Sequence, residues 1–204
     1  MIIHDCEQNS EGWMLIRAGK PTASSFSKLV TSTGKPSKQA DAYARKLAAE
    51  LYAGKPLDEF SNAYTERGHE QEDEARSLYS LMCDVEIEQV GFVTDDNEEY
   101  GCSPDGLIGE DGMIEIKTRK AEIQVETLVT GKPPSENIAQ MQGQMWICNR
   151  KYVDYISYHP DLPLVVYRVE YDPAFGIALT TAIRQVITAR DKYLSAIKQY
   201  EEAA

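Results

Sequence analysis

Three glycines, Gly106, Gly109 and Gly112, cut the stretch Tyr100–Lys117 into two short apolar runs, Leu107-Ile108 and Met113-Ile114, with a polar loop between them. Apolar runs bounded by glycine-rich turns read as the paired strands of a tight, buried hairpin. This constrains what the neighbouring residues can do. Residues two apart on a strand point to the same face. Glu115 and Lys117 therefore share one face, and Ile114 and Ile116 point the other way into a core. Pro104-Asp105 stands ten residues before Glu115, so the hairpin can fold Asp105 back beside Glu115. Two carboxylates and an ammonium then meet at one edge of a small sheet.

Carboxylate oxygens are hard ligands that suit Mg²⁺. A bound metal polarises a phosphoryl oxygen and lowers the pKa of its water, and an adjacent lysine can orient that water and offset charge on phosphorus. The stretch thus suits phosphodiester hydrolysis. It equally suits an ordinary cross-strand Glu–Lys pair, because a bare Glu-x-Lys recurs by chance.

The chain has 204 residues and a net charge of −12, which at first argues against a nucleic-acid partner. The charge is unevenly spread: residues 1–60 and 116–204 each carry a net +1, and residues 61–115 carry −14. The acidity reads as a solvated outer face, so DNA contacts are expected from the first and last segments. Length and composition predict one domain, 1–204. The N-terminus lacks the basic and apolar regions of a signal peptide, and no apolar run reaches membrane-spanning length; a cytoplasmic protein is expected. Cys6, Cys83, Cys102 and Cys148 are scattered and read as reduced structural thiols, and His4, His69 and His159 form no metal-spaced set.

Along the chain, helices are predicted over 11–17, from Thr22–Ser25 through Leu29, and over 38–53. A further helix over 62–82 has Tyr64, Ala75, Leu78, Tyr79 and Met82 as its apolar stripe. A strand is expected over 85–93. After the central hairpin come helices over 120–129 and 136–148, the latter capped by Ser135. Strands over 151–158 and 164–171 precede a long helix over 173–202, with Ile177, Ile183, Val186 and Ile187 among its apolar positions. Arg17 and Ser24 flank the start of the second helix, where free N–H groups favour an anion; a plain cap and a surface arginine fit too. Gln140 and Gln144 fall on one stripe of the helix over 136–148. The order is that of an α/β domain with a small mixed sheet between helices.

Four blocks now carry a resemblance. They are Trp13-x3-Arg17-x-Gly19-x2-Thr22-Ala23-Ser24; Gly68-x3-Glu72-x2-Ala75; Cys102-Ser-Pro-Asp-Gly-Leu107 with Glu115-Ile-Lys117; and Ala139-Gln140-Met-Gln142-x3-Trp146. In this order they resemble the PD-(D/E)xK nuclease superfamily and, within it, the lambda-exonuclease-like (YqaJ-type) phage recombination nucleases. The resemblance implies a restriction-endonuclease-like core, a small mixed central sheet flanked by helices. It implies that Asp105, Glu115 and the backbone carbonyl of Ile116 bind Mg²⁺, with Mn²⁺ expected to substitute. Glu72 joins as a further catalytic acid and candidate ligand, and Lys117 assists the attacking water. Arg17, Ser24, Ser103 and Gln140 are implied to gather around the phosphate of a DNA 5′ end.

The implied activity is 5′-to-3′ digestion of one strand of linear duplex DNA from 5′-phosphorylated ends, leaving a 3′ overhang. The implied partners are a single-strand-annealing protein and two further copies of the chain in a ring-shaped homotrimer, with no membrane, in a bacterial host cell and of phage or prophage origin. Arg67, where relatives often carry an aromatic, and segment 31–60 depart from the pattern. Two alternatives stay open: a non-catalytic DNA-end-binding recombination scaffold, and a PD-(D/E)xK endonuclease.

Overall fold

The computed structural model describes residues 1–57 and 62–203, without the side chains of 62–69. In chain order the elements are β1 (Ile2–His4), α1 (Glu11–Arg17), a 3-10 helix at Ala23–Lys28, α2 (Ala40–Ala53), α3 (Asn62–Cys83), β2 (Phe92–Thr94), β3 (Gly101–Cys102), β4 (Gly106–Ile108), β5 (Gly112–Thr118), α4 (Ala121–Thr130), α5 (Ile138–Cys148), β6 (Tyr152–Tyr158), β7 (Val165–Glu170) and α6 (Pro173–Ala203). A short 3-10 turn at Ser135–Asn137 leads into α5.

The strands form two sheets, one antiparallel in the order β1-β2-β3 and one mixed in the order β4-β5-β6-β7. In the mixed sheet β4 and β5 are the expected hairpin, with Leu107 opposite Met113. Strand β6 runs parallel to β5, placing Tyr155 opposite Glu115. A parallel pair needs a crossover, and α4 and α5 supply it.

The alternation of β5 divides the interior. Met113 joins the main core, with Val153, Tyr155, Phe26, Leu47, Met141 and Leu179. Ile114 and Ile116 point the opposite way, into a second cluster with Ala75, Tyr79, Ile156 and Tyr158. Glu115 is thereby sent to the α5 side of the sheet and Ile116 to the α3 side. Helix α5 lies so close to the 3-10 helix that a Cβ at Gly143 would run into the Phe26 ring.

Helix α3 is fixed to the mixed sheet by a buried polar network. Tyr79 donates its hydroxyl hydrogen bond to Asp154 Oδ2 at 2.6 Å. Arg168 grips the same carboxylate with two bonds of 2.8 Å and stacks over Tyr152 at 3.7 Å. Asp154 is 3% exposed. Asp154→Ala would strand the Tyr79 hydroxyl and one face of the guanidinium, at a cost of about 3 kcal/mol; urea denaturation should show it.

Several expectations are corrected. The helix starting at Thr22–Ser25 is a 3-10 helix, and Thr22 makes no side-chain cap. The strand over 85–93 contracts to Phe92–Thr94, preceded by a lone bridge from Glu88 to Leu107. Asp84 at φ 52° turns the chain just before that span, and Gly91 passes so close to the Cys6 and His4 carbonyls that a side chain there would have no room. Ser135 does not cap α5; the 3-10 turn intervenes and Asn137 takes that place. On α3 Ala75 and Tyr79 are buried, but Leu78 and Met82 face outward, as does Ile177 on α6. The Tyr64 side chain lies outside what the structure describes. No disulfide forms among the four cysteines, although the buried Cys102 and Cys148 sulfurs lie 3.5 Å apart.

Candidate active site

Two half-sites meet on the short segment Cys102–Asp105. The first is built on α1. Ser10 caps this helix by accepting the Trp13 N–H at 3.2 Å, which aims Trp13 and Arg17 at β3. Ser103 Oγ accepts the Trp13 indole N–H at 2.8 Å and Arg17 Nη1 at 3.2 Å. Arg17 Nη2 reaches Ser24 Oγ at 3.5 Å, and the guanidinium stacks on the Trp13 ring at 3.9 Å. The turn that follows is clamped from both sides: Glu50 Oε2 accepts the Gly19 N–H at 3.2 Å, and Gly19 O accepts from Arg190 at 2.9 Å. Gly19 sits at φ 71° with its Cβ position against Leu51, so a side chain there is strained and obstructed.

Burial lowers the Arg17 pKa to about 10, so at neutral pH the group stays charged. No carboxylate forms a salt bridge with it among the described residues, and the charge of Glu50 in the same cleft only partly offsets the burial. A partly desolvated cation is costly, and an anion seated beside it would offset that cost. Arg17 and Ser24 line a cleft of about 230 Å³ that Lys20, Lys28 and Lys46 also border. Three of the four phosphate candidates, Arg17, Ser24 and Ser103, are thus brought together.

The second half-site is built on β5. Glu115 is 0% exposed. Its Oε1 accepts from Gln140 at 2.6 Å and pairs with the Lys117 ammonium, and its Oε2 accepts from Gln144 at 2.6 Å. Gln140, the fourth phosphate candidate, therefore sits on Glu115 and not on the arginine. Asp105 is anchored through Oδ2, which accepts the Ile116 N–H at 2.6 Å. Burial, then the charges of Glu115 and Glu72, push the Asp105 carboxyl well above its ordinary value. Burial pulls Lys117 down, but Glu115 and Asp105 outweigh it and its pKa is raised. Lys117 is thus a proton-carrying cation rather than a free base.

Glu72 approaches from α3. Its Oε1 meets Arg76 Nη2 at 3.3 Å, and Arg76 Nε donates to the main-chain oxygen of Asp105 at 3.1 Å. Glu72, Arg76 and Asp105 line a second cleft with Asp5 and Glu7. Arg76 thus joins Glu72 to the Asp105 turn.

No three Asp, Glu, His or Cys side chains among the described residues gather as a ready-made metal cluster. The donor chemistry nevertheless fits a hard divalent cation. Asp105 resists ionising because of its burial and then the charges of Glu115 and Glu72, and a cation would offset both. Mg²⁺ keeps several waters and needs only one or two carboxylates. Asp105, Glu115 and the Ile116 carbonyl are the protein groups that would hold it, with Glu72 nearby.

A family model for the YqaJ-like viral recombinase domain matches residues 12–151. Among solved structures, an alkaline exonuclease from Laribacter hongkongensis, LHK-Exo, is similar at a TM-score of 0.85 and 29% identity, over 95% of this chain and 99% of that one. Its complex with dAMP is similar at 0.84 and 31% identity, with the same coverage. A phage-related exonuclease from Haemophilus somnus 129PT is similar in fold at 0.59, with 18% identity over 89% of this chain and 96% of that one. No curated protein matches the sequence.

Proposed function

Because the chain belongs to the YqaJ-like viral recombinase domain family, we propose that it is a Mg²⁺-dependent exonuclease. It would degrade one strand of linear duplex DNA 5′ to 3′ and leave a 3′ overhang for single-strand annealing. The observation that carries this reading is the placement of Ser103, bonded to Trp13 and Arg17, two residues before Asp105. An anion pocket and a carboxylate–lysine site share one short segment. The likeness to LHK-Exo, an alkaline exonuclease whose structure holds dAMP, supports it.

In this reading Arg17, Ser24 and Ser103 hold the phosphate of the 5′ end by charge-assisted hydrogen bonds. Asp105, Glu115 and the Ile116 carbonyl hold the cation, which when bound polarises the scissile phosphate and acidifies water. Lys117, kept protonated by Glu115, offsets charge building on phosphorus and orients the attacking water. Gln140 steadies Glu115. Arg76 keeps Glu72 against the Asp105 turn.

The remaining parts of the proposal are a single nuclease domain, a ring-shaped homotrimer, an annealing-protein partner, and action in the cytoplasm of a bacterial host. No described helix is long and apolar enough to cross a membrane. The exposed acids among the described side chains of residues 70–115 would face outward in such a ring, with the Arg17 cleft facing DNA.

End-labelled linear duplex, digested with and without Mg²⁺ beside closed-circular duplex, tests the activity. Release of nucleotides from the 5′-labelled strand, and none from the closed circle, is expected. Cutting of the circle would favour an endonuclease; binding of ends without cleavage would favour a scaffold. Arg17→Ala should reduce the preference for 5′-phosphorylated over 5′-hydroxyl ends about tenfold, the loss of one charge-assisted contact. Equal rates of the parent on both ends would remove the phosphate pocket from the mechanism.

A further inference from the structure

Helix α5 carries three glutamines at alternate positions, Gln140, Gln142 and Gln144, and they are used differently. Gln142 is a clamp: its Nε2 donates to Glu170 O at 2.9 Å, and its Oε1 accepts the Asp172 N–H at 2.8 Å. Both ends of that amide are satisfied, and it fastens α5 to the junction of β7 and α6.

Gln144 is 1% exposed and lies in the core face of the helix. Its Nε2 donates to Glu115 Oε2 at 2.6 Å, while its Oε1 is buried without a partner. The reverse orientation of the amide would set two acceptor oxygens against each other, so the donor must face Glu115. A buried carbonyl oxygen with no donor carries a desolvation cost. If packing were the whole requirement, an apolar side chain would serve better here. Glu115 Oε1 already has Gln140 and Lys117; Gln144 supplies the amide donor recorded on Oε2.

We infer that Gln144 is a positioning residue for the cation site: it fixes Glu115 Oε2 from the core side, at the cost of leaving its own carbonyl oxygen without a donor. Groups behind the ligands orient them and are worth about 10–100-fold in metal affinity. The inference rests on the metal reading of Asp105 and Glu115.

The test is calorimetric titration of Mn²⁺ into the metal-free full chain, without DNA, with thermal melting alongside. Gln144→Met keeps the length and burial but removes both polar atoms; it should weaken Mn²⁺ binding about tenfold or more while the protein still melts cooperatively. Gln142→Met is the matched control, because it loses a clamp away from Glu115. It should lower the melting temperature and leave Mn²⁺ affinity at the parent value. Should the methionine variant not fold, Gln144→Asn withdraws the same amide by one methylene and should give the same weakening. Parent-like Mn²⁺ affinity in a folded Gln144 variant, or equal weakening in both glutamine variants, overturns the inference alone. A parent that binds no Mn²⁺, or an Asp105→Asn variant that binds it as the parent does, overturns the metal reading and this inference with it.

Discussion

Lys117→Ala should slow duplex digestion by about 10³-fold or more while leaving affinity for a 5′-phosphorylated end near the parent value. The separation follows from geometry. Lys117 contacts Glu115 on β5, whereas Arg17 on α1, Ser24 on the 3-10 helix and Ser103 just after β3 form their own hydrogen-bonded group. The substitution leaves Asp105 and Glu115 in place but removes the cation beside them. It also costs stability, because Glu115 is fully buried and loses one of its three donors. Activity must therefore be compared at a temperature where circular dichroism shows both proteins folded. End binding by fluorescence anisotropy and single-turnover cleavage on the same substrate separate the two effects. A Lys117→Ala protein that cleaves at near-normal rate would remove the lysine from the chemistry.

Asp105→Asn should abolish cleavage and at the same time raise the melting temperature in chelator. The Asp105 carboxyl is held above its ordinary value by burial and by Glu115 and Glu72. A carboxyl whose folded pKa exceeds its unfolded one destabilises the fold once pH rises above the unfolded value, and the penalty is fully present above the folded value. Asn removes the charge and keeps the shape. For a chain of this size each kcal/mol regained is worth about 2–4 °C. The gap between variant and parent should be widest at alkaline pH and should close as pH falls through the raised pKa toward the unfolded value. Saturating Mg²⁺ should close it too, by stabilising the parent. Melting curves across pH, with chelator and with Mg²⁺, read this directly. A variant less stable than the parent in chelator at alkaline pH would show that Asp105 contributes structure rather than strain. The prediction places the cost of the site in the same residue as its function, the stability–activity conflict expected where like charges are gathered for a ligand.

What was legible in the sequence was legible for local reasons. Three glycines around two apolar pairs define a hairpin, and the two-residue period of a strand forces Glu115 and Lys117 onto one face. Both hold in the structure. The helices of residues 40–53, 121–130 and 173–203 follow their apolar spacing within a few residues. Arg17 and Ser24 stand out at a helix start, the resemblance adds Ser103 as a phosphate candidate, and in the structure the three are joined by hydrogen bonds.

What was not legible depends on partners distant in the chain. Strand β1 is three residues long and half-exposed, and exists because β2 lies beside it. The segment before β2 has strand-like composition, but it follows a left-handed turn at Asp84 and keeps only the Glu88–Leu107 bridge. On α3, Leu78 and Met82 fit an apolar stripe by spacing, yet the sheet covers the Ala75 and Tyr79 side alone. Helix α5 is buried almost all round, so no periodicity could single out which glutamine meets a carboxylate.

The sequence by itself determined the hairpin, the order of helices and strands, and the residue types capable of the chemistry, because these follow from backbone geometry and short-range spacing. The tertiary structure decided how those groups are shared. It put Gln140 and Gln144 on Glu115, left the half-buried Arg17 with no salt-bridged carboxylate among the described residues, and set Asp105 within the charge of Glu115 and Glu72. Those assignments depend on which surfaces α1, α3 and α5 present to the sheet, and packing across the whole chain fixes that.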